Sequence, residues 1–430
     1  MTSRHAAVRR ARPTRHARRP ARAGVLHGLA LTATAVLAFG GAAAATAYVQ
    51  LQDNITSADV SDLLAPVPTD EAAAPADPDD PNAGQDLNIL VMGSDDRSGE
   101  NEQVSGYYVD GMRSDTTIVV HVSADRSRVE LVSIPRDSMV QIPACTMTNG
   151  VTTRAQRGMF NSAFALGADT GGDVLSAAAC TINTVQQNTG LTIDDWVVVD
   201  MAGFVRMVDA LGGVTMCIPE DISSEKANNL TLTAGVQTLP GTIALDFARA
   251  RTGEGLGDGS DTSRIGRQQQ LIAATLNQVL SKNMLTDVGQ LISFFDAATE
   301  SLTIDEGLSS LTDLTGLAFS LREIGAEDIT LLTIPWAPDP ADPNRVVWTD
   351  EADAVWARLV ADQPAVVEPA PEAPADPQSP GATDAPATDP ATDPGTGTDP
   401  GTDPAAPTPT ETKEAGREAF TGADVTAVCA

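Results

Sequence analysis

Residues 87–97 read Leu87-Asn88-Ile89-Leu90-Val91-Met92-Gly93-Ser94-Asp95-Asp96-Arg97. A short apolar, branched run that breaks into glycine, serine and charge has the pattern of a strand buried on both faces and ending at a functional loop. Residues 116–122 and 129–134 repeat the pattern, and 196–200, 214–218 and 329–334 supply further strands. Helical spacing marks 173–188, 202–211, 262–281 and 287–298, with Gly212 and Gly213 as a stop. Strands alternating with helices predict an α/β fold, a central mixed β-sheet flanked by helices as an α-β-α sandwich. The hairpin-length link between Val122 and Val129 lets the N-terminal strands pair antiparallel.

Outside this body the chain changes character. Residues 1–24 hold eight Arg and no acid, and 25–51 hold no charge. At roughly 1.5 Å per helical residue, about 25 residues cross a bilayer core of about 30 Å. A single-pass transmembrane signal-anchor at 25–51 is therefore expected, with residues 1–24 cytoplasmic and the rest exported by the positive-inside rule. A cleaved signal peptide is the rival, since 42–47 offers A-x-A sites. Residues 52–85 read as an extracytoplasmic stalk, extended through its acidic, proline-rich later half. Residues 86–362 form the folded body, 363–412 are a disordered linker with repeated Thr-Asp-Pro units, and 413–430 are a Cys-containing segment with helical character at 415–420.

Charge and histidine usage exclude several classes. Beyond the basic head, 19 basic residues face 58 acidic ones, a net of −39, and such a body repels nucleic acid. His121 is the one imidazole of the body, which removes two-His zinc sites; its place in an alternating strand fits a satisfied core histidine better than a triad base. Sixteen aromatics in 430 residues poorly equip the chain as a noncatalytic wall-binding protein. Cys145, Cys180, Cys217 and Cys429 lack C-x-x-C spacing, and in an exported chain they point to disulfides. Of three possible connectivities the expected one is Cys145–Cys180 with Cys217–Cys429, the latter docking a tail helix beside residues 214–218.

Seven of the sixteen Arg beyond the basic head fall in three groups of short segments with Asp nearby. Asp95-Asp96-Arg97 follows a strand, and Arg113-Ser114-Asp115 precedes the next. Arg136-Asp137 ends another. Arg249-Ala250-Arg251 joins Asp261-Thr262-Ser263-Arg264-Ile265-Gly266-Arg267-Gln268. A pyrophosphate asks for this mixture: planar, permanently charged guanidinium donors for its oxygens, and one or two carboxylates for a hard divalent cation. Asp95 and Asp115 are the candidate metal ligands. Helical spacing brings Arg264, Arg267 and Gln268 to one face. The bland alternative is a set of surface ion pairs. For Gly253, Gly255, Gly257 and Gly259, a mobile loop is a simpler reading than a phosphate cradle.

Taken in order, L-N-I-L-V-M-G-S-D-D-R, R-S-D-T-T-I-V-V, V-S-I-P-R-D-S, F-N-S-A-F-A-L-G, the G-G-V after Leu211, L-P-G-T-I-A-L-D-F-A-R-A-R and D-T-S-R-I-G-R-Q-Q resemble the LytR-CpsA-Psr family over about residues 87–280. The resemblance implies a phosphotransferase that moves a glycopolymer from a polyprenyl-pyrophosphate carrier to a peptidoglycan hydroxyl. It implies Mg²⁺ (or Mn²⁺) on Asp95 and Asp115. Arg113, Arg136, Arg249, Arg251, Arg264 and Gln268 then hold the pyrophosphate, supported by Arg97, Asp137 and Arg267. The extra residues 103–108 and the glycine loop depart from the family pattern as loop insertions. A pyrophosphate hydrolase using water is the other enzyme reading. An apolar cleft for the lipid is expected to draw on residues such as Phe160, Phe164, Leu166, Val205, Leu271 and Ile272, although core packing accounts for most of them.

Overall fold

The computed structural model describes residues 34, 38, 42, 45–66, 83–105, 111–281, 288–367, 413, 415–424 and 429. The chain divides into two units, 1–53 and 54–430. In the first, residues 45–53 are helical. Among the described residues no helix is long and apolar enough to cross a membrane, and most of the anchor expected at 25–51 lies outside them. So do residues 67–82 of the stalk and 368–412 of the linker.

The central sheet of the second unit has eight strands: β1 (Thr56–Ala58), β2 (Leu87–Ser94), β3 (Ser114–Val122), β4 (Val129–Ser133), β5 (Asp195–Val199), β6 (Leu302–Asp305), β7 (Ile329–Thr333) and β8 (Phe420–Thr421). They lie side by side in the order β1-β6-β5-β2-β3-β4-β7-β8. β2, β3 and β4 pair antiparallel, β3 with β4 across the short link 123–128, while β5 runs parallel to β2 and β7 parallel to β4. Seven of the described helices carry the argument: α1 (Asn161–Gly171), α2 (Val174–Thr189), α3 (Met201–Ala210), α4 (Gly241–Arg249), α5 (Asp261–Val279), α6 (Val288–Ser301) and α7 (Asp350–Val360).

Period-two alternation distributes the strand side chains between two cores. Leu90, Met92, Val119, Val132 and Leu332 meet Phe164, Ile182 and Trp356 of α1, α2 and α7. Leu87, Ile118, Leu131 and Leu331 face the other way, against Ala273 and Leu276 of α5. Each fully buried Leu or Ile contributes roughly 1.5–3 kcal/mol, so the continuous apolar runs demand cover on both sides. Helix starts are fixed by side-chain caps: Asp173 accepts from Ser176 N–H, Asp200 from Gly203 N–H and Ser260 from Ser263 N–H.

Several expectations need correction. Val214–Ile218 is a strand, but it pairs with Gly235–Leu239 in a separate antiparallel ribbon. Its alternation of buried Val214, Met216 and Ile218 with exposed Thr215 marks a strand covered on one face. Among the described residues the tail forms no α-helix beside it. Phe420–Thr421 instead adds an edge strand to β7, and Gly416 N–H donates to the buried Gln269 Oε1 of α5. A Cβ at Gly266 would stand 2.3 Å from the Ala415 carbonyl oxygen, so glycine there lets the tail lie on α5. The start of the expected stalk belongs to the body: Thr56–Ala58 pairs with β6 and Val60 is buried. Both expected cysteine pairs are disulfide-bonded, with Cα separations of 5.3 Å for Cys145–Cys180 and 5.7 Å for Cys217–Cys429. His121 is fully buried between Asn88 Oδ1 at 2.8 Å and Asp362 Oδ1 at 3.2 Å.

At the start of β5, burial and the nearby Asp305 and Asp194 carboxylates push Asp195 up to about 6. The folded chain therefore holds this proton more tightly than the unfolded chain. Its stabilising effect is complete below the ordinary carboxylate range and is lost as pH rises through about 6. Urea midpoints for wild type and Asp195→Asn are expected to diverge between pH 4 and 6, the Asn chain gaining relative stability as pH rises. A pH-independent difference between the two would refute this.

Candidate active site

The site is assembled where β2, β3 and β4 give way to loops. The β2–β3 register shifts between Gly93 and Ser94. Just beyond, Asp95 N–H donates to the Arg113 carbonyl at 2.8 Å and Arg113 N–H donates to Asp95 Oδ1 at 2.8 Å. This reciprocal pair fixes the Asp95 carboxylate beside Asp115, the second residue of β3. Burial, then the facing Asp115 charge, raise the Asp95 pKa. Asp115 is half-buried and partly desolvated, but Arg264, Arg136 and Arg251 outweigh that penalty and hold it below its ordinary value.

Pro135 follows the end of β4 and Arg136 comes next, its Nη1 2.6 Å from Asp115 Oδ1. Its Nε lies 3.5 Å from Asp261 and 3.6 Å from Asp137. Burial disfavours its charge, yet Asp115, Asp137 and Asp261 together raise its pKa. Arg264, one turn into α5, is 1% exposed; its Nη2 donates to Asp261 Oδ1 at 2.5 Å and to the Asp115 carbonyl at 2.8 Å, and its Nη1 stands 3.6 Å from Asp115 Oδ2. Arg249 ends α4, and Ala250 is extended (φ −57°, ψ 134°), which carries Arg251 onward to within 3.9 Å of Asp115 and 3.7 Å of Asp261. Gln268 donates to the Ala248 carbonyl, tying α5 to α4.

Two cavities meet at this cluster. One is apolar, between the α5-side face of the sheet and α3, α4 and α5; it is walled by Val91, Ile118, Phe204, Met207, Leu245, Leu271 and Ile272, with Asp95, Asp115, Arg249, Arg264 and Gln268 along its charged end. The other is polar and lined by Asp95, Arg97, Asp115, Arg136, Ser224, Lys226, Asn228, Asp246, Arg249, Arg251 and Thr252. Asp95, Asp115 and Arg249 belong to both.

The expected residues are thus gathered, with two exceptions. Arg113 is exposed and lines neither cavity, contributing its backbone. Arg267 is buried behind the site and donates to the Leu256 and Ala250 carbonyls, with burial, then Arg264, pushing its pKa down to about 10. It braces the glycine loop, which is pinned: Ser223 and Glu254 exchange backbone hydrogen bonds of 3.1 and 2.9 Å. At Gly253, φ is +148° and a Cβ would meet the Ser223 carbonyl oxygen at 2.0 Å, so glycine serves close approach of two backbones. Of the residues expected to line a lipid cleft, Leu271 and Ile272 do; Phe160, Phe164 and Leu166 pack in the core between the sheet and α1–α2, and Val205 packs with Met201 and Leu245. Asp261 went unassigned in the sequence, yet its buried carboxylate touches Arg136, Arg251 and Arg264. Its signal was the i,i+3 spacing to Arg264.

Among the described residues no group of three or more His, Cys, Asp or Glu could by itself enclose a metal. Two facing carboxylates, one with a raised pKa, nevertheless suit a hard cation whose remaining positions go to phosphate oxygens and water.

The sequence pattern of the LytR_cpsA_psr family matches residues 48–360, which take in every residue of this cluster. The chain belongs to that family. Among similar family proteins, the cell wall biosynthesis protein LcpA of Corynebacterium glutamicum is 32% identical over 270 residues, 58% of this chain and 49% of LcpA. The polyisoprenyl-teichoic acid–peptidoglycan teichoic acid transferase TagU of Oceanobacillus iheyensis is 30% identical over 233 residues, 54% of this chain and 63% of TagU. The chain therefore spans about half to two thirds of the length of these curated relatives. A solved LytR-Csp2A-Psr enzyme from Actinomyces oris superposes with a TM-score of 0.49 at 24% identity, covering 71% of this chain and 95% of that one.

Proposed function

We propose that this LytR_cpsA_psr protein is a membrane-anchored, extracytoplasmic phosphotransferase that moves a glycopolymer from a polyprenyl-pyrophosphate carrier to peptidoglycan as a phosphodiester. The observation that carries this reading is the junction of an apolar and a polar cavity at Asp95, Asp115 and Arg249. An amphipathic donor has the same order: an apolar chain, a pyrophosphate and a sugar. The names of relatives agree in kind, since TagU is called a polyisoprenyl-teichoic acid–peptidoglycan teichoic acid transferase.

In this reading Arg136 and Arg251 hold the pyrophosphate oxygens from the polar side, and Arg249, Arg264 and Gln268 hold them where the apolar cavity begins. A peptidoglycan hydroxyl attacks the phosphorus that bears the glycan. Its new P–O bond forms as the bridging P–O bond breaks, the hydroxyl proton passes to solvent, and polyprenyl phosphate leaves along the apolar cavity. Negative charge grows on that leaving phosphate, and preorganised guanidinium groups stabilise it without reorganising. Asp95 and Asp115 would hold Mg²⁺ (or Mn²⁺), which supplies Lewis-acid neutralisation of the phosphates.

The test is to incubate the full chain in detergent with a polyprenyl-pyrophosphate glycan and peptidoglycan oligomers, and to follow the products by mass. A glycan–phosphate–peptidoglycan product is expected. Release of polyprenyl phosphate with no adduct would replace transfer by hydrolysis. Asp95→Ala and Asp115→Ala are each expected to lower turnover by at least about tenfold, with near-ultraviolet circular dichroism unchanged. Full turnover in excess chelator would remove the metal from the scheme.

A further inference from the structure

Lys226, Asn228, Asp246 and Thr252 line the polar cavity and are absent from the apolar one. The pyrophosphate reading gives them no task. They are nonetheless held as a unit. The turn 225–229 joins the paired strands Ile222–Ser224 and Leu230–Leu232. That hairpin is fastened to the loop after Arg251 by the two Ser223–Glu254 backbone bonds and by Ser224 Oγ donating to the Thr252 carbonyl at 2.7 Å. From the turn, Asn228 Nδ2 donates to Asp246 Oδ1 at 2.7 Å, and Asp246 is 8% exposed. Asn228 adopts φ +51°, a left-handed backbone that asparagine tolerates better than most residues.

A buried carboxylate oriented by an amide, in a cavity that one lysine also lines, is an arrangement for sugar hydroxyls. The carboxylate accepts from hydroxyl donors, and the ammonium and amide complete the polar contacts. Its position in the cavity that shares Asp95, Asp115 and Arg249 with the lipid side places it one group beyond the pyrophosphate. We propose that Asp246, Asn228 and Lys226 form a specificity subsite for the sugar joined directly to the donor pyrophosphate. This rests on the functional reading above and deepens it: the chain selects its donor by the first sugar and not by charge alone. The rigid anchoring of the hairpin means that little ordering cost is incurred on binding.

The experiment measures affinity of the full chain in detergent for bare polyprenyl pyrophosphate and for the same lipid bearing one hexose or one N-acetylhexosamine. Wild type is expected to bind at least one sugar-bearing lipid about tenfold more tightly than the bare lipid, as a charged hydrogen-bond partner provides. Asp246→Asn and Asn228→Gly, the latter keeping the left-handed backbone, are expected to erase that preference while leaving bare-lipid affinity unchanged. Equal loss for both ligands would make the pair a brace for Arg249 and overturn the proposal, as would wild type without any sugar preference or variants that retain it. Failure of wild type to bind the bare lipid would instead refute the pyrophosphate reading itself.

Discussion

Asp261→Ala is expected to destabilise the chain by about 3–5 kcal/mol, the cost of breaking a buried ion pair by deleting one partner. The carboxylate accepts the Arg136 backbone N–H at 3.2 Å and the Arg264 guanidinium at 2.5 Å, and Arg251 stands 3.7 Å away. Removing it leaves Arg264, 1% exposed, dependent on Asp115 alone among these carboxylates. Asp115 would then be drawn toward Arg264 and away from Arg136. Equilibrium denaturation in urea reads the loss. Asp261→Asn, which keeps an acceptor for the Arg136 N–H, should fall between wild type and Ala. A shift for Asp261→Ala within about 0.5 kcal/mol, the range of ordinary surface substitutions, would show that the arginine cluster supports itself without this carboxylate.

The sequence made the sheet legible for a physical reason. Ile89 to Met92 is apolar without interruption, and only a strand covered by helices on both sides can be so; the short link from Val122 to Val129 then forced antiparallel neighbours. Val214–Ile218 carried a different message in its alternation, and it lies in a one-sided ribbon. The tail was harder. Ala415 to Phe420 looks helical by composition, but Gly416 sits at φ +89° and a segment so short takes its shape from what it docks against. That partner, the groove over Gly266 beside Gln269, is a tertiary feature no local pattern announces.

The site shows the same division. Arginines and aspartates clustered at strand ends brought Asp95, Asp115, Arg136, Arg249, Arg251 and Arg264 into one cluster because strand ends converge in an α/β sheet. Arg267 fails to join them: three residues past Arg264 its side chain points behind the helix, where the Leu256 and Ala250 carbonyls need donors. Asp261 was concealed by its place in the first turn of α5, where an acid ordinarily serves the helix dipole. Its three arginine contacts are set by tertiary packing, not by sequence neighbours alone.

Arg136→Lys is expected to weaken binding of the polyprenyl-pyrophosphate donor nearly as much as Arg136→Ala, by roughly 10- to 100-fold in each. The guanidinium spans its surroundings: Nη1 reaches Asp115 at 2.6 Å, and Nε lies 3.5 Å from Asp261 and 3.6 Å from Asp137. Nη2 takes part in none of these contacts, and the side chain lines the polar cavity. One rigid plane thus orders three carboxylates while presenting a charged donor to a phosphate oxygen. An ammonium keeps the charge but is a single point; it can stay with Asp115 or meet the phosphate, not both. Loss of one charge-assisted hydrogen bond is worth about 1.5–3 kcal/mol, which is the affinity range stated. Calorimetric titration of the full chain in detergent separates the cases. A Lys variant that binds like wild type while Ala does not would mean that Arg136 acts through its field alone. If neither variant weakens binding, Arg136 is a structural ion pair, and the pyrophosphate must be held by Arg249, Arg251 and Arg264 without it.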